Sequence, residues 1–396
     1  MRFNSRYSLM AAAIGSSLAL SPALAAAAPA TVVAWGHFRI YVSASHGNPA
    51  NSDTWCQTAR YSMIQDAINN ASAGDTIIVC PGTYAPFTTT TTGGSINGLA
   101  IIGWRAVVDA TGSNNGVSIT GNRDTLRGFR VENAKSDGIV VTGNYDKIIA
   151  NVAADNGAGV GGDEGDQCDE TGTEPAASEN GEEGNGAGIK LNGSSYSLVA
   201  RNVATGNTHG GIAVVDMKGP SSHNYIVANL ARDNPSGPGI RLSSPAGNGV
   251  FANIVRGNRL LDNGTTSPLR GGAGILLGSS AAGAAVYGNF IAGNWIRGNG
   301  LPGVLLNSHE PGQNMNGNVV TANFIGTNNV VGCPDLGILD TAAIAVVATD
   351  SHVSIRLAGN VILNNYYGVW LGGMLDVQGA YFNRFTDVEV PVYIAP

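Results

Sequence analysis

The sequence predicts an all-β solenoid of stacked coils, and three observations carry that expectation. After Thr120 the chain repeats itself imperfectly, in "RVENAKSDGIVV", "ANVAADNGAGV", "RNVATGNTHGGIAV", "ANLARDNPSGPGIRL", "GNWIRGNGLPGVLL" and "GNVILNNYYGVWL". Each copy holds a short alternating apolar stretch, an Asn at or near a bend, and a Gly before a second apolar triplet. The period is short: Asn133 to Asn156 spans 23 residues, and later copies run from 27 to the high thirties as their loops grow. A coil of about 22 residues holds three short strands and three turns, and has no room for a helix, a strand and both linkers. Leucine-rich repeats have a similar length, but their leucine ladder is absent.

In chain order, residues 1–27 read as an export signal. Arg2 and Arg6 precede an apolar run from Leu9 to Leu24, and Ala-Leu-Ala at 23–25 supplies the small residues of a cleavage site. No later segment is long and apolar enough to span a bilayer, so a secreted or periplasmic protein is expected. Residues 28–396 then form one domain. Its 37–80 segment is the N-terminal cap and first coil: Ile64, Ala67, Ile68 and Ala71 share one face of a short capping helix, about Ser62 to Ser72, and Asp75 to Val79 is a strand closed by Cys-Pro-Gly. At the other end, 380–396 reads as the last incomplete coil and cap, with Pro391 and Pro396 suited to an edge.

Stacking pairs each strand in parallel with its equivalents above and below, about 4.8 Å away. Ile139, Ile189, Ile212, Ile240, Ile275 and Val304 would form an inward apolar column. Asn151, Asn202, Asn229, Asn258, Asn294, Asn323 and Asn360 would occupy one bend, where Asn tolerates left-handed backbone and bonds to nearby main chain. These asparagines read as structural.

Two stretches carry a family resemblance: "SMIQDAINNASAGDTIIVCPGTY" and the coil pattern Asn-x-x-x-x-Asn-x-x-x-Gly-Ile. On them the chain, over about residues 37 to 390, resembles the right-handed parallel β-helix proteins of the pectate-lyase-like superfamily. The resemblance implies a right-handed parallel β-helix whose exposed N-terminal strand edges are plugged by the short helix. It leaves the reaction open, since this fold carries lyases, hydrolases, epimerases, adhesins and accessory proteins. The sequence lacks the Asp-Pro-His-Asp tetrad of epimerase-like members. It also lacks the Asp-Asp, Gly-His-Gly and Arg-Ile-Lys set of polygalacturonase-like members, offering only "THGG" at 208–211, and the calcium-binding carboxylate cluster of pectate-lyase-like members.

Strand alternation places Val140, Lys190, Ala213, Arg241, Leu276, Leu305 and Trp370 on the outward face. Lys190 and Arg241, two coils apart, would stand roughly 10 Å from each other and meet carboxylates on alternate sugars. Lys190, Arg241, Trp370 and His309 are therefore candidate sugar contacts. A lyase or epimerase must neutralise a uronate and abstract the adjacent proton. Arg241 or Lys190 would clamp the acid, His223 or His209 would act as base, and Asp216 would complete a pocket. A glycosidase needs two carboxylates about 5 to 9 Å apart, and Asp216 has no clear partner.

Residues 161–185 form an acidic insertion with nine carboxylates, expected to project as a loop. Asp163, Glu164, Asp166 and Asp169 are candidate ligands for Ca2+, although the EF-hand spacing is missing; no other cofactor is indicated. The four cysteines contain no C-x-x-C, and in an oxidising compartment they read as disulfides. Cys56 with Cys80 would close a loop around the capping helix. Cys168 with Cys333 would span about five coils and arch over the Lys190 and Arg241 face as a lid. A formal net charge of -7 argues against nonspecific nucleic-acid binding. The expected protein is an exported monomer associated with polysaccharide or cell-envelope glycan. The alternatives are a divergent lyase or epimerase, a noncatalytic envelope or adhesion scaffold, and, more distantly, a periplasmic copper-site accessory protein. The residues do not choose between catalysis and binding.

Overall fold

Parallel pairing at the predicted register organises the computed structural model, which describes residues 38–45, 54–158, 185–266, 271–334 and 336–396. The expected export signal and the acidic insertion up to residue 184, with Asp163, Glu164, Asp166, Asp169 and Cys168, lie outside these residues. Ile139 stacks on Ile189, and the column continues through Ile212, Ile240, Ile275, Val304, Ile344 and Val369. All are essentially inaccessible to solvent. Each coil contributes one strand to each of three strips, and 28 strands join in one sheet. One coil, for example, is Ile212–Val215, Tyr225–Val227 and Leu230–Arg232. Strips two and three supply their own inward columns, Ile148 to Val320 and Ala153 to Ile325, and the three columns form one continuous core.

A core of this kind buries the main chain at every corner, where ladder hydrogen bonds are interrupted and the amide groups need other partners. Asparagine meets the need at all three corners. Between strips two and three, the Asn258 side-chain oxygen accepts from the Asn229 backbone and side-chain amides at 2.9 and 3.0 Å. The Asn258 amide in turn donates to Ile226 O and to Asn294 Oδ1. This chain of contacts runs from Asn151 to Asn383. A second ladder runs from Asn156 to Asn365 after strip three, and a third from Asn224 to Asn318 before strip two.

The predicted bend is thus real, but the left-handed residue is the one before the ladder asparagine. Ala150, Arg201 and Ala228 have φ of 54°, 57° and 55°, followed at the same position by Gly257 and Gly293. The asparagine is spared that conformation because its side chain must point inward along the stack.

At the N-terminus, β1 (Arg39–Val42) pairs in parallel with β2 (Thr76–Val79). Between them lie α1 (Thr54–Gln57) and α2 (Ile64–Asn69), and α2 buries Ile64, Ala67 and Ile68 as expected of a plug. The helix is shorter than predicted because Asn70 closes it, donating its side-chain amide to Asp66 O. Asp75 then accepts from Ser72 N and Phe38 N, turning the chain into β2. Cys56 and Cys80 form the expected disulfide, with Cα atoms 5.8 Å apart. At the C-terminus the final strand, Arg384–Ile394, contains Pro391 and is the outer edge of the stack.

Asn258→Ala strips the partners from Asn229 N–H and Ile226 C=O in the buried corner. It should lower unfolding free energy by about 3 kcal/mol or more, read from urea denaturation, at about 1 to 3 kcal/mol per unsatisfied buried group. A change below about 1 kcal/mol would mean that the ladder is not a supporting element.

Candidate functional site

The predicted outward column has the predicted register and the wrong exposure. Val140, Lys190, Ala213, Arg241, Leu276, Leu305, Ala345 and Trp370 lie one above another. Lys190 is only 2% exposed and Arg241 and Trp370 6%. The Lys190 ammonium sits 3.6 Å from Asp137 Oδ2 and donates to Asn185 Oδ1 at 2.5 Å. Asp137 also accepts from Ala187 N. Burial pushes the Asp137 carboxyl up, against the pull of Lys190. Burial also lowers the Arg241 guanidinium to about 10, which still leaves it charged at neutral pH. Further along, Leu276, Leu305, Ala345 and Trp370 pack beneath Val331, Cys333, Leu336 and Ile338 in a second apolar cluster. Trp370 therefore belongs to a core. Cys333 is disulfide-bonded, and its expected partner, Cys168, lies outside the described residues.

The other candidates are dispersed. Asp216 is fully buried and committed to the next coil, accepting from Ser244 Oγ at 2.6 Å, Gly249 N at 2.6 Å and Ala246 N at 3.0 Å. It shapes a turn and has no lone pair facing solvent. His209 is buried before the Ile212–Val215 strand and Asp216 follows that strand, so the two stand at its opposite ends. His223 lies a corner further on, stacked on Tyr196 with ring centres 4.8 Å apart. His309 begins a tight turn in which Gln313 Oε1 accepts from its backbone N–H. Of the predicted pocket, Lys190 and Arg241 share one column two coils apart, while Asp216 is engaged in its own turn and His223 in the ring stack. Among the described residues no group of three His, Cys, Asp or Glu could hold a metal ion.

The open wall lies on strips two and three. Outward positions of strip two run Lys147, Leu198, Tyr225, Ile254, Phe290, Val319 and Arg356. Those of strip three run Arg130, Val152, Val203, Leu230, Arg259, Trp295, Phe324 and Val361. Tyr225, Phe290 and Trp295 are 49%, 41% and 47% exposed. Trp295 and Phe324, on consecutive coils, bring their rings to 4.7 Å. Arg201, Arg256 and Arg259 stand at the bend between the strips and make no ion pair among the described residues. The acids collect at the far rim, where Arg130 meets Glu132 and Asp155, and Arg232 meets Asp233. At the near corner Tyr145, Tyr196 and His223 stack face to face, and Phe251 and Tyr287 continue the row. Arg123 lies over the Tyr145 ring.

Sequence reasoning missed this wall because it followed the Gly-Ile-x-Leu strands alone. The signal was present in "YIV", "FIA" and "WIR", where a ring or cation alternates with an inward aliphatic residue.

Comparison with known proteins agrees with this geometry. The family described as "Right handed beta helix region" matches residues 115–291. The chain is a right-handed parallel β-helix. The expected right-handed parallel β-helix fold is therefore borne out. Among solved structures, this β-helix is similar to ORF18 of Geobacillus virus E2, at 11% identity and TM-score 0.50, over 88% of this chain and 60% of that one. It is also similar to the DFA-IIIase of Arthrobacter chlorophenolicus A6 without its lid, at 13% identity and TM-score 0.48, over 90% and 92% of the two chains. A third likeness is to an alginate lyase from Paenibacillus sp. str. FPU-7, at 15% identity and TM-score 0.44, over 90% and 98%. At these identities the likeness is one of fold. No curated protein matches the sequence.

A structural role for Lys190 has a measurable consequence. Lys190→Met leaves Asp137 buried beside no cation and should cost about 3 to 5 kcal/mol of stability in denaturant titration. Adding Asp137→Asn should recover most of that loss. A stable Lys190→Met protein would instead show that the pair is dispensable to the fold.

Proposed function

We propose that this β-helix is an exported polysaccharide-binding protein that holds an extended glycan against the open wall of strips two and three, without cleaving it. The observation that carries the reading is the half-exposed set Tyr225, Phe290 and Trp295 beside Arg201, Arg256 and Arg259. Aromatic rings and arginine offer contact area, planar hydrogen bonding and little conformational freedom to lose, which suits a recognition surface. A contiguous exposed apolar stripe bordered by charge marks an interaction site more often than idle surface. Tyr225 and Phe290 are two coils apart, about 10 Å along the axis, so a polymer lying along the stack meets a ring at regular intervals. The arginines favour an anionic polymer. The Cys56–Cys80 disulfide, with the export signal expected of residues 1–27, supports a site of action outside the cytoplasm.

A test is direct. The protein, run through gels containing acidic and neutral polysaccharides, should be retarded by at least one acidic polymer. Tyr225→Ala with Trp295→Ala should weaken that retardation about tenfold or more, the equivalent of about 1.4 kcal/mol. Arg256→Ala with Arg259→Ala should reduce its salt dependence. Retention unchanged in both double variants would remove the wall from consideration. Release of unsaturated or new reducing ends would overturn the noncatalytic reading.

A further inference from the structure

We infer that Asp124 and Asp146 occupy the start of the third asparagine ladder as neutral carboxylic acids, and that their shared protonation is a pH-dependent joint between the N-terminal coils and the rest of the stack. The argument starts from the ladder's own chemistry. In its later coils, Asn253 accepts through Oδ1 from Asn224 N and donates through Nδ2 to Ser221 O, three residues before Asn224 on the preceding coil. Asn289 does the same toward Asn253 N and Val250 O. Asp146 keeps the first half of the pattern: its Oδ1 accepts from Asp124 N at 2.7 Å. Asp124 Oδ1 likewise accepts from Leu99 N at 2.8 Å. The second half requires a donor aimed at Gly121 O and at Ile96 O, the equivalent carbonyls. A carboxylate has none, whereas a carboxylic acid has one.

The surroundings favour that solution. Both side chains are fully buried, and Oδ2 of each lacks a well-aligned hydrogen-bond donor, although the Thr89 hydroxyl and Gly98 N–H temper the rise at Asp124. A Cβ placed on Gly121 would strike Ile96 O and lie 2.6 Å from Asp124 Oδ2. One on Gly143 would strike Gly121 O and lie 2.5 Å from Asp146 Oδ2. Each glycine is thus approached closely both by the preceding coil's carbonyl and by the carboxyl Oδ2.

Among the described residues no cation faces the pair. Above Asp146 is the Ser197 hydroxyl, which accepts from its backbone N–H. Arg123, Tyr145 and Lys147, on the same corner, are exposed and turned outward. The charge acting on Asp146 is that of Asp124 itself. Burial raises Asp124 to about 6, and burial together with Asp124 raises Asp146 to about 8.

The sign follows from linkage. An unfolded Asp titrates near ~3.9, so the folded state holds protons that the unfolded state has released. The stabilisation is complete below about pH 4 and is lost as pH rises to about 8. Between about pH 6 and 8, where one proton separates the states, the folding equilibrium should weaken about tenfold per pH unit. Ionisation sets two acceptors against each other beside the coil that carries the Cys56–Cys80 cap, so loosening should start at that end.

The experiment compares wild type with Asp146→Asn and with Asp124→Asn, Asp146→Asn. Urea midpoints are measured from about pH 4 to about pH 9, together with hydrogen exchange at Leu99 and Asp124, corrected for intrinsic rate. Asparagine supplies the missing donor permanently, so both variants should match or exceed wild type at pH 8. The double variant should lose the tenfold-per-unit slope, and exchange protection at Leu99 and Asp124 should fall with pH in wild type and stay level in the double variant. An equal slope in wild type and double variant would overturn the inference. Should the double variant fold poorly, infrared spectra of wild type and Asp146→Asn near pH 6 decide: a protonated-carboxyl band that weakens in Asp146→Asn supports the joint, and an equal band or none in both overturns it.

Discussion

Buried corners are the constraint on which this molecule depends. A coil that closes on a dry interior must turn its main chain three times where strand pairing is interrupted, and every amide left there needs a partner. Asparagine is the side chain that carries a donor and an acceptor at one place and can repeat itself along an axis. Once one coil places it, the next must place it too, because the oxygen of each serves the amide of its neighbour. The inward aliphatic columns follow from this register, and so does the single left-handed residue at the bend between strips two and three.

With corners and interior fixed, variation is left to outward positions and loops, and the two sides of the stack have used it differently. The strip-one side has been closed over. Lys190 is held by Asp137, and Leu276 to Trp370 lie beneath the loop that carries Cys333. Strips two and three meet at a bend of two residues, too short to cover anything, and there rings and arginines stand in the open. Accessibility in a solenoid is therefore decided by which corners have grown, more than by which residues face outward.

This explains what could be read in advance. The Ile139 to Val304 column and the Asn151 to Asn360 bend follow from period alone, since both are imposed by the repeat. The disulfide and the plug helix followed from local pattern around Cys80. The functional candidates did not, for a physical reason: Lys190, Arg241 and Trp370 have the alternation of exposed residues, and whether they are exposed depends on loops distant in sequence. Asp216 resembles a catalytic acid in composition, and only its contacts to Ser244, Ala246 and Gly249 show it to be a brace. Tyr225 and Trp295 went unread because the Gly-Ile-x-Leu strands mark strip one, whereas the open wall lies on strips two and three.

The direction of the ladders has one more consequence. In every rung the amide points toward the C-terminal neighbour and the oxygen toward the N-terminal one, so each coil offers the same face upward and the same face downward. Coils are in that sense interchangeable. Inserting or deleting a whole one would leave every corner satisfied, and the stack could change length through duplication without redesign of its interior. The two ends are excluded from that freedom: one begins in a helix and a disulfide, the other stops at a half-buried Asn383, and growth would have to occur between them.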